Sequence, residues 1–144
     1  MAKHFTIPEL VASDTARARG IDNTPPPAAR AKLATLANRL LDPVREMWGA
    51  PLVVNSGFRC PVLNRAVGGA VGSQHMAGEA ADITAGSPAK NRRLFDMIVA
   101  AAGRGEIAFD QLIDESGSGA RKTPYSWLHI SYRAGANRGQ ILHL

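Results

Sequence analysis

Between Leu33 and Trp48 apolar residues recur every three or four positions: Leu33, Leu36, Ala37, Leu40, Leu41, Val44, Met47 and Trp48. That spacing follows the 3.6-residue turn, so the segment must be helical and must bury one face against another layer. Pro43 falls inside it and predicts a kink or break near Leu41, because proline lacks an amide donor and its ring collides with the carbonyl one turn back. Upstream, in NTPPP, Thr24 reads as the cap and Pro25 as the first helical residue.

Other helices are marked by their ends. Thr6 with Glu9 three residues on has the form of a capping box, and Gly20 closes that region. Ser87, Pro88 and Gly103 bracket a helix carrying Leu94, Phe95, Ile98 and Ala102 on one stripe. Strand signals are short: 52–55, 80–83, 109–113 and 127–132. The helices cluster early and the last two strands run consecutively. The expected fold is therefore α+β, a small antiparallel sheet packed against helices with an N-terminal helical region. Loops are expected at 25–27, 68–72 and 116–122.

A chain of 144 residues with 45% apolar composition can bury a core of its own, and residues 1–144 are read as one domain. The single cysteine, Cys60, excludes an intramolecular disulfide and a cysteine-rich metal site. The N-terminal segment MAKHFTIPELVASD has no apolar signal region, and no apolar run is long enough to span a bilayer. The expectation is a monomer made in the cytoplasm without a signal peptide and with no membrane role. Seventeen Lys and Arg against twelve Asp and Glu give +5, which favours an anionic partner such as nucleic acid or bacterial cell wall. The basic residues are scattered, and no basic stripe interleaved with aromatics appears, so a nucleic-acid partner is not expected.

Chemistry-bearing residues concentrate in SGFRCPVLN (56–64), SQHMAGEAAD (73–82) and WLHIS (127–131). His75 lies between glycines, Asp82 lies in a strand of small residues, and the strand period puts Trp127, His129 and Ser131 on one face. Two histidines and a carboxylate suit a catalytic zinc with one position left for water, whose pKa falls from 15.7 to roughly 7. By residue type alone, a hydrogen-bonded core histidine and an aspartate capping a turn are the commoner cases. His4 and His143, near the termini, read as solvated.

The string S-G-x-R, then N, then S-x-H-x-x-G-x-A-x-D, then W-x-H resembles the zinc D-Ala-D-Ala carboxypeptidase family, peptidase family M15, and most of all its compact phage and prophage subgroup. The residues concerned are Ser56, Gly57, Arg59, Asn64, Ser73, His75, Gly78, Ala80, Asp82, Trp127 and His129, and FTIPEL, GIDNTPP and LLDPVRE are similar to that subgroup's N-terminal helices. The resemblance implies that His75, Asp82 and His129 bind Zn2+, that Arg59 holds a substrate carboxylate, and that Ser73 and Gln74 position the peptide. A structural ion pair with Asp82 or Glu79 is the other reading of Arg59.

Many relatives carry Glu or Asp three residues before the last zinc histidine, where this chain has Ser126. A serine does not replace a carboxylate in proton transfer unless another group activates it. The resemblance makes Glu115, after the F-D-Q-L-I strand, the first candidate for the catalytic base, with Asp110 and Asp114 as alternatives. Regular alternation places Gln111, Ile113 and Glu115 on one face and Asp110, Leu112 and Asp114 on the other.

The function expected on these grounds is a zinc metallopeptidase acting on bacterial peptidoglycan stem peptides. It would act as a D-Ala-D-Ala carboxypeptidase or an L-Ala-D-Glu-type endopeptidase at the cell wall, as a phage lytic enzyme released by another protein or as a virion component. A non-catalytic peptidoglycan-binding module that keeps the zinc site is the alternative.

Overall fold

The computed structural model describes residues 2–117 and 122–144. Of the loop expected at 116–122, residues 118–121 lie outside the described residues.

Among the described residues, six α-helices precede or interrupt a five-stranded sheet. Helices α1 (Ile7–Val11) and α2 (Asp14–Arg19) come first; α1 has the expected capping box, with Thr6 and Glu9 each accepting from the other's amide. Helix α3 (Pro27–Leu36) begins two residues later than Thr24 and Pro25 led us to expect. A residue followed by proline is pushed out of the helical region, so in Thr24-Pro-Pro-Pro the first free residue is Pro27. Thr24 instead gives its amide and hydroxyl to the Asp22 carboxylate.

Pro43 does not end the stripe. A π-helical turn over Ala37–Leu41 runs directly into α4 (Asp42–Trp48). Its wider ring, with the Asp42 amide reaching back to the Ala37 carbonyl, gives the proline room in place of a break. The apolar stripe therefore stays on one side: Leu33, Leu36, Leu40, Leu41 and Val44 are fully buried.

The sheet order is β1-β2-β4-β3-β5, formed by β1 (Val53–Ser56), β2 (Ala80–Thr84), β3 (Gln111–Glu115), β4 (Trp127–Ser131) and β5 (Gln140–His143). The first four strands pair antiparallel, as expected, and β5 adds a parallel edge against β3. Helix α5 (Pro61–Ala66) and a 3-10 turn (Gln74–Ala77) lie between β1 and β2, and α6 (Pro88–Gly103) follows β2 within its expected bounds.

Alternation divides the sheet into two surfaces. Ala81, Ile83, Leu112, Leu128 and Ile130 join the helical stripe in the hydrophobic core. The opposite face carries Asp82, Ile113 and His129 as direct cross-strand neighbours. One face holds the fold together, and the other is free for chemistry. Among the described residues no helix is long and apolar enough to cross a membrane.

Candidate metal centre

Asp82 on β2 lies opposite His129 on β4, so both side chains emerge from the same face at the same level. His75 arrives from the 3-10 turn above them. That turn is built locally: Ser73 Oγ accepts from the His75 amide, and Gly78 ends it at φ +78. A Cβ on Gly78 would stand 2.3 Å from the Ala29 carbonyl oxygen, so only glycine lets the turn press against α3.

The three side chains converge. Asp82 Oδ1 lies 3.2 Å from His75 Nε2 and 3.1 Å from His129 Nδ1, and the candidate ligand atoms all fall within 4.8 Å of one another. His75 Nδ1 lies 2.7 Å from the Gly57 carbonyl, which can only accept. In the neutral ring the Nε2 lone pair therefore faces a carboxylate oxygen, and two lone pairs at that distance require a proton or a cation between them.

The donor set fits zinc: two imidazole nitrogens and a carboxylate oxygen, with both carboxylate–imidazole spacings close to the ~3.3 Å edge of a tetrahedron whose metal–ligand bonds are about 2.0–2.1 Å. Burial opposes ionisation of Asp82, but the His129 and His75 imidazoles beside it outweigh that and hold the carboxyl well below its ordinary range. The pocket is set up for a bound positive charge.

These residues form the floor of an open cleft of about 480 Å³, lined also by Arg59, Gln74, Gln111, Glu115 and Trp127. Arg59 is fixed by Ser56 Oγ at 3.0 Å from Nε and Asn64 Oδ1 at 3.1 Å from Nη1, with a longer 3.4 Å contact from Nη2 to Asp82. It thus does touch Asp82, whereas Glu79 pairs at 3.7–4.0 Å with Arg133 and Lys32. Three of its five N–H groups are engaged, and two are left for a ligand. Gly69 makes this arrangement possible, since a Cβ there would stand 2.0 Å from Asn64 Oδ1.

Glu115 lies on the cleft face with Gln111 and Ile113, as the alternation indicated. Burial, reinforced by the Asp82 carboxylate, pushes its pKa above the ordinary glutamate value. Asp114 faces the other way and binds the Tyr125 amide and His143, so His143 is paired rather than simply solvated. Asp110 is fully buried and engaged by Arg138 and Gln74. Ser126 gives its hydroxyl to the Thr123 carbonyl and is not among the cleft residues.

Ser73 spends its hydroxyl on the turn, while Gln74 gives its amide N–H to Asp110 and leaves Oε1 buried and unpartnered. Two charged cleft residues, Arg133 and Arg138, carry no site signal of their own in the sequence. Extending the alternation of β4 past Ser131 would have found Arg133; no local pattern points to Arg138.

One sheet face is buried under helices, and on the other Asp82 and His129 meet His75 from the 3-10 turn in a cluster able to hold a metal ion. Residues 3–112 match the Peptidase M15 family, more than half of the chain, and the chain belongs to that family. A 41-residue segment is 54% identical to the zinc D-Ala-D-Ala carboxypeptidase of Streptomyces albus G, covering 28% of this chain and 16% of that protein. His129 and Glu115 lie beyond the family match, and sheet register alone brings them to the site.

Proposed function

We propose that this chain is a zinc-dependent peptidase that hydrolyses bacterial peptidoglycan stem peptides, either as a D-Ala-D-Ala carboxypeptidase or as an L-Ala-D-Glu-type endopeptidase. The observation that carries the reading is the convergence of His75, Asp82 and His129 on the floor of a cleft that also holds Arg59 and Glu115. When bound, zinc would polarise a carbonyl and acidify water.

Arg59 offers its two remaining donors to a substrate carboxylate beside the scissile bond, and Ser56 and Asn64 keep it from swinging away. Glu115 takes a proton from the attacking water. As the carbon–nitrogen bond breaks, it returns that proton to the leaving amine. Its raised pKa brings it nearer neutral pH, where both halves of this transfer are efficient; a bound cation would oppose part of that rise.

One observation favours the non-catalytic reading: the residue three before His129 is a serine whose hydroxyl is spent on a loop carbonyl. Glu115 supplies the carboxylate that Ser126 lacks. We place the activity at the bacterial cell wall, in a phage lytic enzyme or virion component, where +5 would speed approach to an anionic surface.

The test is incubation with defined stem peptides and purified peptidoglycan, with chelator and with restored zinc, reading products by mass spectrometry. Zinc-dependent cleavage names the bond. Stoichiometric zinc with no product from any substrate would establish the binding module instead.

A further inference from the structure

The cleft has a second basic end, apart from Arg59. Arg133 and Arg138 both line it, and their side chains are 45% and 50% exposed. Arg138 is locked in place: its Nε and Nη2 lie 2.9 Å from the two Asp110 oxygens, and its amide also reaches Oδ1. Arg133 is nearly free, since Glu79 lies 3.7 Å away and is shared with Lys32. Arg133 and Arg138 against the Asp110 carboxylate leave this end with one positive charge, Glu79 and Lys32 offsetting each other beside it.

Its distance from the metal ligands follows from the strands. The Asp110 amide binds the Ser131 carbonyl, so Arg138 is anchored two residues along β4 from His129, about 7 Å. Arg59 instead touches Asp82 directly. A peptide lying along the cleft would meet one cation at the scissile bond and another some two residues away, at about 3.3 Å per residue.

We propose that Arg133, backed by the fixed Arg138, is a second carboxylate subsite. It selects stem peptides with a free acidic side group two or so residues from the cleaved bond. The inference rests on the peptidase reading for its substrate class, but it concerns binding and can be tested apart from turnover.

The probes are a stem peptide containing D-Glu and the same peptide with D-Gln, titrated calorimetrically into the zinc-loaded full chain carrying E115Q, so that the peptide survives. The D-Glu form should bind about tenfold tighter or more, the effect of one hydrogen bond between charged groups. Arg133→Gln should erase that preference. Arg104→Gln, which removes an exposed cation away from the cleft, should keep it.

No preference in the parent, a preference surviving R133Q, or one lost equally in R104Q overturns the subsite. A preference that follows this pattern, in a chain whose unsubstituted form releases no product, upholds the subsite and sinks the peptidase reading.

Discussion

Two buried aspartates stand near each other in this molecule, and their surroundings differ in kind. Asp110 is satisfied by the protein: an arginine fork, a backbone amide and a glutamine amide all donate to it. Asp82 faces two imidazole nitrogens at 3.1–3.2 Å, one of which belongs to a ring already committed to the Gly57 carbonyl through its other nitrogen. Both carboxyls are held well below the ordinary range, yet only Asp82 is surrounded by atoms that can share a cation. The donors of Asp110 are all supplied by the fold, whereas Asp82 keeps one arginine contact and two imidazole nitrogens that together can share a metal ion.

The sharpest way to break this contrast is Asp82→Ala. Zinc content should fall from one per chain to almost none and hydrolysis by several orders of magnitude, with circular dichroism unchanged. Next is Glu115→Gln, expected to lower kcat by about 10²–10⁴-fold while zinc content stays at one per chain. Equal activity in E115Q would remove Glu115 from the chemistry. Gly57→Ala acts through the carbonyl that orients His75. Its new Cβ would lie 2.1 Å from the Leu10 oxygen, and the displaced backbone should weaken zinc binding by about 10–100-fold in a competition titration.

The smallest effect on the metal belongs to Asp110→Asn, which should leave zinc affinity unchanged and cost about 1–3 kcal/mol of stability at neutral pH. The Arg138 hydrogen bonds lower the Asp110 pKa most; burial opposes them, and the Arg138 amide and Gln74 add to the lowering. A depressed carboxyl pKa stabilises the fold above the unfolded value near 3.9, and that contribution is lost as pH falls through the folded value. The gap between parent and D110N should therefore hold from neutral pH to about 4 and close below it, as denaturant titrations at stepped pH would show.

The sequence made the site more legible than its surroundings. S-G-x-R, N and S-x-H-x-x-G-x-A-x-D sit close in the chain because each serves the next. Ser56 and Asn64 hold Arg59, Gly57 holds His75, and the 3-10 turn delivers His75 to Asp82. Strand alternation correctly set Glu115 and Gln111 on the cleft face and Asp114 on the other. The parallel strand β5 was missed because four residues of alternating partial exposure at a sheet edge carry almost no periodic signal. Helix α3 starts later than its cap signal indicates because each proline keeps the residue before it out of the helical region. Arg138 was invisible for a tertiary reason: its place is set by a carboxylate 28 residues away.

The most direct test of the difference between the two aspartates is anomalous diffraction at the zinc edge from crystals grown with zinc. The account predicts one strong peak within bonding distance of His75, Asp82 and His129, and none beside Asp110. A vacant triad, or a peak at Asp110, would contradict it.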